Sequence, residues 1–211
     1  MATSGKWNNN LKGKLGRTVT YPLNGQSVTR EIGIITKAPS IKQLVVRQRT
    51  KIVTDFLRPV QDFLEVGFDL PTKNTLLSPY NLATSVNRLQ AIVGDYPNQE
   101  VDFAKAILSQ GKIPVDQLVK VEATAIGFEF SWDPDFIIPG MDANDHVMLV
   151  AYCPEKKGAF YQLDGAKRKV GFEQISIPRY RETIVVHTYV TFIASNRKSI
   201  SNSLYTGKFL W

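Results

Sequence analysis

The first pattern along the chain is an alternation of polar residues with β-branched and aromatic ones. Residues 16–31 carry Asn24 and Gly25 between two runs rich in Thr, Val and Tyr. An Asn-Gly pair between alternating runs is the strongest short-range signal for a two-residue hairpin turn. We therefore predict a β-hairpin here and no third strand in the first forty residues. The predicted cross-strand pairs are Leu23 with Gln26, Tyr21 with Val28, and Val19 with Arg30.

A helical pattern follows the hairpin. After Pro39 and Ser40, apolar residues recur at spacings of three and four as far as Gly67. Pro59 lies inside this pattern, and an internal proline removes a backbone donor and clashes with the preceding turn. We therefore predict a kink, or two abutting helices, near Leu57.

A second, shorter helix is predicted after residue 77. Ser78 is a good cap, Pro79 suits the first helical position, and the apolar stripe that follows ends at Gly94. Beyond Pro97 the chain becomes a series of short runs rich in β-branched and aromatic residues. These runs are 101–108, 118–124, 127–132, 147–153, 159–163, 170–175 and 183–194.

Seven short runs separated by turn-like residues predict an antiparallel β-sandwich. Within one run, Ile126, Phe128, Phe130 and Trp132 alternate with small or polar residues, so this strand is predicted to bury one face. The fold class is accordingly α+β, with a hairpin and two helices before the sandwich. The predicted segments are an N-terminal arm over 1–39, a helical segment over 40–97 and the sandwich over 98–211.

The charge is concentrated near the N-terminus. The first 60 residues hold 11 Lys and Arg against 2 Asp and Glu, and the rest hold 15 against 17, so the nets are +9 and −2. A localised positive field attracts nucleic acid, anionic lipid or an acidic protein surface. No RNP-like, helix-turn-helix or zinc-finger pattern accompanies it, so nucleic acid is not the expected partner.

Candidate chemistry is sparse. The sequence contains no P-loop, Rossmann glycine pattern, His-Glu-x-x-His or nucleophile elbow. The one cluster considered for catalysis is Asp133, Asp135, Asp142 and His146, and a solvated loop is the favoured interpretation. The basic run 167–169 is expected to protect an exposed strand edge. We expect no enzyme activity, no cofactor and no metal site.

Several longer runs carry a resemblance to a known family. They are GKLGRTVTY, PSIKQLVVRQRTK, FLRPVQDFLEVGF, NLATSVNRLQAIVGDYP and SNSLYTG, and they extend over nearly the whole chain. The chain resembles an uncharacterised family of short proteins encoded in Bacteroidota, a domain of unknown function that opens on Gly-Lys-x-Gly. The resemblance implies a C-terminal half similar to fibronectin type III and immunoglobulin-like sandwiches. It implies no activity and no site residues.

The hairpin supplies the functional hypothesis, because an isolated two-stranded hairpin is marginally stable in water. We expect a non-enzymatic structural protein whose basic N-terminal arm binds other copies, giving a filament or another homopolymer. The alternative is a monomeric binding module that captures a glycan, peptide or nucleic acid through its sandwich loops or basic helix. No apolar run is long enough to span a membrane, and no conventional secretory signal is present. We therefore expect a cytoplasmic protein, or one exported by a non-classical route.

Two sets of residues carry these expectations. The predicted assembly interface consists of Trp7, Val19, Tyr21, Val28 and Arg30. The predicted basic face of the first helix consists of Arg47, Lys51 and Arg58.

Overall fold

The computed structural model describes residues 12–23, 25–34, 36–115 and 118–211. The chain forms two compact units, Met1–Ser40 and Ile41–Trp211. The helices and the sandwich strands all lie in the second unit.

The described residues of the first unit form an antiparallel sheet of three strands: β1 (Gly13–Leu15), β2 (Thr18–Leu23) and β3 (Gln26–Glu31), in that order. The pairing of β2 with β3 has the predicted register, which is confirmed at all three predicted pairs. The expectation that no third strand exists is wrong. Gly16, with φ of +58°, makes a tight turn that folds β1 back onto β2. Asn24, half of the predicted turn, lies outside the described residues.

The predicted helical break is confirmed. Helix α1 (Ile41–Leu57) is followed by a 3₁₀ turn, Arg58–Val60, and then by α2 (Gln61–Gly67). The break falls at Pro59 because proline has no backbone N–H for the helical ladder. Buried residues on both sides of the break, including Phe56 and Phe63, keep the two helices on one core.

The second predicted helix starts where expected and stops earlier. Before it, a short helix that the sequence did not predict, α3, covers Asp69–Thr72. The next helix, α4, covers Pro79–Gln90, and the Ser78 hydroxyl accepts a hydrogen bond from the Asn81 N–H at 3.2 Å. The residues just beyond it leave the helix and form β4 (Ile92–Val93), which pairs with β5 (Glu100–Val101).

Within residues 118–211, all of which are described, seven antiparallel strands form a sandwich of two sheets. They are β6 (Lys120–Ala123), β7 (Gly127–Ser131), β8 (His146–Cys153), β9 (Gly158–Gln162), β10 (Phe172–Ser176), β11 (Val185–Ile193) and β12 (Leu204–Leu210). One sheet has the order β10-β7-β6 and the other has the order β12-β11-β8-β9. The first, second and fifth strands thus share one sheet, which is an immunoglobulin-like arrangement. The α+β fold with a sandwich is confirmed.

The prediction of individual strands needs three corrections. The run 101–108 does not supply a sandwich strand, because only its first residue pairs, in β5, and a 3₁₀ turn follows at Phe103–Lys105. The seventh strand is instead β12, whose sequence LYTGKFL contains a glycine and little apolar continuity. Ile126, predicted to be inside, is 54% exposed because it lies in the turn before β7.

The four-stranded sheet is buried on both faces. From β8, Val147, Leu149 and Ala151 pack towards the other sheet, whereas Met148 and Val150 pack against the helices. The same alternation holds along β11. This middle position in three layers explains why residues 147–153 form a nearly continuous apolar run rather than an alternating one.

Candidate assembly surface

The N-terminal sheet has two chemically different faces. Alternate residues of a strand point to opposite sides, and directly paired residues share a side. The register therefore collects mainly apolar and basic side chains on one face, which we call the Tyr21 face: Lys14, Val19, Tyr21, Leu23, Gln26, Val28 and Arg30. The opposite face carries mostly hydroxyl groups, and the Thr20 and Thr29 side chains are hydrogen-bonded at 2.8 Å.

This sheet has no buried core in the part that the structure describes. Over residues 12–23, 25–34 and 36–40, every residue is either exposed or half-buried. On the Tyr21 face, Leu23 is 51% exposed. Three strands with a hydrophobic face, or packing against a helix, are the minimum for an independently stable sheet. The Tyr21 face therefore retains apolar surface from which further burial would gain free energy.

The structure brings four of the five predicted interface residues onto one face. Val19, Tyr21 and Val28 are half-buried, and Arg30 is exposed. The Arg30 guanidinium lies 5.8 Å from the centroid of the Tyr21 ring, a cation-π contact at the surface. Trp7, the fifth residue, lies outside the described residues. Their role in assembly stays a prediction.

The predicted basic face lies on α1 and the 3₁₀ turn after it. Arg47, Lys51 and Arg58 are all exposed. Lys51 and Asp55 form an ion pair one helical turn apart, with 3.1 Å between Nζ and Oδ2. Exposed pairs of this kind contribute roughly 0.3–0.5 kcal/mol, and this one offsets part of the positive charge of the helix. Binding to this face stays a prediction.

The acidic residues between β7 and β8 organise their own loop. Asp133 Oδ1 accepts the Asp135 N–H at 2.9 Å, and Asp142 Oδ1 accepts the Asn144 N–H at 2.7 Å. His146 Nδ1 lies 2.9 Å from Asp164 Oδ1. Among the described residues, no group of three or more His, Cys, Asp or Glu side chains is arranged to hold a metal ion. These contacts are those of a structured turn.

Arg168, in the basic run 167–169, is buried, whereas the sequence suggested an exposed position. It is 1% exposed, and its guanidinium carbon lies 3.7 Å from the centroid of the Phe192 ring. Its Nε is 3.7 Å from Oδ2 of Asp145, which is also buried. Its carbonyl accepts the Trp132 indole N–H at 2.6 Å. The expectation of an exposed edge is wrong for Arg168, and nothing in a Lys-Arg-Lys run distinguishes it from its neighbours.

Two residues with reactive side chains are built into the core of the second unit. His187 is 7% exposed and its ring stacks on Phe103, with 3.9 Å between centroids. Burial lowers the pKa of His187 to about 4. Cys153 is fully buried on β8, and burial raises the pKa of its thiol to about 11. A neutral imidazole stacked on an aromatic ring and a protonated buried thiol are both packing groups here.

Of the helices within the described ranges, none is long and apolar enough to cross a bilayer.

The comparisons with known proteins give a family for the chain and no activity. No curated protein and no solved structure matches the chain. One family model, DUF6266, described as a family of unknown function, matches residues 10–207. That match includes the N-terminal sheet, the helices and nearly all of the sandwich. The chain therefore belongs to DUF6266, a family of unknown function.

Proposed function

We propose that this protein is a non-enzymatic structural protein that assembles with copies of itself through its N-terminal sheet. The observation that carries the proposal is the Tyr21 face, which combines Val19, Tyr21 and Val28 with Arg30 on a sheet whose described residues include no buried one. A surface of this composition gains free energy when another surface covers it. If every copy carries both the N-terminal sheet and the surface that this sheet binds, the copies join into a homopolymer, either a filament or a ring.

The charge of the N-terminal unit supports the same proposal. Its 40 residues contain six Lys and Arg and one Glu, a net of +5. Net positive charge in a small sheet resists association with an identical sheet and favours a different, acidic surface. Contact between two Tyr21 faces is therefore disfavoured, and an interface between unlike surfaces is favoured.

From the resemblance to Bacteroidota proteins, we propose that this chain belongs to a Bacteroidota branch of the family. The Gly-Lys-x-Gly opening, Gly13 to Gly16, coincides with β1 and the turn after it. We expect members of this family in Bacteroidota to keep a glycine at position 16, because φ there is positive.

Deletion of residues 1–38 tests the proposal. Light scattering coupled to size exclusion is expected to show an assembly for the intact chain and a monomer for the shortened one. The second unit contains its own two clusters of buried apolar residues, so its far-UV circular dichroism is expected to persist. A shortened chain with the mass distribution of the intact chain would remove the proposal.

A finer variant leaves the sheet in place. Val19→Thr, Tyr21→Thr and Val28→Thr place β-branched residues of high strand propensity at all three positions and remove most of the apolar surface of the Tyr21 face. We expect this triple variant to be monomeric. The matched control is Thr20→Ser with Thr29→Ser on the opposite face, which is expected to assemble as the intact chain does.

The competing function is the monomeric binding module. The loop between β7 and β8 exposes three consecutive apolar residues, Phe136, Ile137 and Ile138, at 41%, 43% and 39%. Loops carried on a rigid sandwich are common recognition sites. An intact chain that stays monomeric at all concentrations would favour this function over assembly.

A further inference from the structure

The outer face of the β10-β7-β6 sheet of the sandwich carries two glutamates that lie directly opposite each other. In the register of β6 and β7, Glu122 pairs with Glu129, and both point away from the core because Phe128 and Phe130 point into it. Directly opposite side chains have Cβ atoms about 4.5–5.5 Å apart, and like charges at that position destabilise a sheet. Glu122 is exposed and Glu129 is half-buried.

Neither glutamate has a neutralising partner within the described ranges. Other acidic residues of the second unit do form ion pairs, namely Asp55 with Lys51, Asp69 with Lys73, Asp102 with Lys105, Asp164 with Arg197, and Glu182 with Lys156. Lys120 lies one row away on the same face, but no ion pair joins it to either glutamate. The sheet thus keeps an acidic pair that a cation from outside would stabilise.

The surroundings of the pair suit a protein surface rather than a single ion. Phe172, at the start of β10, occupies the neighbouring row and is 54% exposed. Gln174 of β10 pairs with Glu129 and therefore lies in one row with the two glutamates. Its amide nitrogen donates a hydrogen bond to the Thr124 hydroxyl. We call this surface the Glu129 face: Lys120, Glu122, Glu129, Ser131, Phe172 and Gln174. It offers negative charge beside exposed aromatic area.

The Tyr21 face has the complementary chemistry. One of its rows runs Lys14, Val19, Arg30 across three strands, which places two cations on either side of an apolar residue. The next row holds Tyr21 and Val28. Two sheets stack face to face at about 10 Å, a separation that long basic side chains bridge.

We propose that the Tyr21 face of one copy docks on the Glu129 face of a second copy, with Lys14 and Arg30 against Glu122 and Glu129. This inference rests on the proposed function and names the partner surface that the N-terminal sheet binds. Because the two faces differ, the contact is head-to-tail, and the joined pair keeps one free Tyr21 face at one end and one free Glu129 face at the other. Such a contact propagates into a ring or an open filament.

Charge reversal with mixing tests the contact between copies. One chain carries Lys14→Glu and Arg30→Glu, and the other carries Glu122→Lys and Glu129→Lys. Each chain alone then has two faces of like charge, and we expect each to be monomeric, with affinity weakened about tenfold or more. An equimolar mixture restores opposite charges at both junctions, so it is expected to assemble with alternating chains. The same four substitutions in one chain are also expected to restore assembly, which shows that the altered faces still fold.

A control and the opposing outcomes complete the experiment. Glu65→Lys with Glu182→Lys makes the same change in net charge at two other exposed positions and is expected to assemble normally. If the Glu122→Lys, Glu129→Lys chain assembles as the intact chain does, while deletion of residues 1–38 abolishes assembly, the docking site is refuted and the proposed function stands. If the deletion itself has no effect, both are refuted. A mixture that stays monomeric also refutes docking between copies.

Discussion

The free energy of unfolding of the second unit is expected to decrease as the pH is lowered from 6.5 to 4, because His187 is buried as a neutral ring. The imidazole stacks on Phe103, and its Nδ1 lies 3.0 Å from the Tyr205 hydroxyl. Burial is the main cause of its lowered pKa, the charge of Lys208 adds to it, and that of Glu155 opposes it. Protonation would place a positive charge among aromatic rings with little water.

The sign and size follow from the two pKa values of His187. The pKa is about 4 in the folded protein and 6.5 in the unfolded chain, so the unfolded chain binds the proton first as pH falls. The free energy of unfolding is therefore unaffected above pH 6.5 and decreases below it. At pH 5 the expected loss is about 2 kcal/mol, and near pH 4 it approaches about 3 kcal/mol.

Urea denaturation at several pH values measures this loss. The difference in the free energy of unfolding between pH 7.5 and pH 5 is expected to shrink by about 2 kcal/mol in His187→Gln and in His187→Phe. His146→Gln, which changes the other imidazole and keeps His187, is expected to retain the loss. Equal pH dependence in the His187 variants and the intact chain would refute a buried neutral imidazole.

Three further predictions concern single residues of the second unit. Asn87 is fully buried and forms hydrogen bonds with both the N–H and the carbonyl of Ile107, at 2.9 and 2.7 Å. Asn87→Leu is therefore expected to lower the free energy of unfolding by about 2–4 kcal/mol, measured by urea denaturation. An unchanged free energy of unfolding would contradict this account. The Cys153 thiol is expected to resist Ellman's reagent in the native state and to react fully in urea, whereas rapid native reaction would contradict its burial. Arg168→Ala leaves the buried Asp145 carboxylate uncompensated and is expected to cost about 3–5 kcal/mol, with a partial recovery in the double variant that also carries Asp145→Ala.

Local sequence signals predicted the elements whose cause is itself local. The Asn24-Gly25 signal predicted the pairing of β2 with β3, Ser78 marked the start of α4, and Pro59 marked the break after α1. In each case the determining residue lies within a few positions of the structure that it specifies. The same local information grouped Val19, Tyr21, Val28 and Arg30 on one face, because side-chain direction in a strand has a period of two.

Other features depend on contacts between residues that are distant in the chain. Strand β12 has a weak pattern of its own and becomes a strand because it pairs with β11, with a register shift opposite Thr188 and Tyr189. Arg168 is buried because the Asp145 carboxylate and the Phe192 ring occupy the same region of the fold. A run of basic letters carries no information about either neighbour.

The sequence by itself determined the class of the fold, the helix boundaries set by proline and serine, and the concentration of positive charge in the first 60 residues. Only the tertiary structure decided that Glu122 lies opposite Glu129 and that the four-stranded sheet is covered on both sides. The physical reason is the range of the interactions. Turn, cap and helix preferences act over a few residues, whereas strand register and layer packing depend on contacts between distant residues throughout the core.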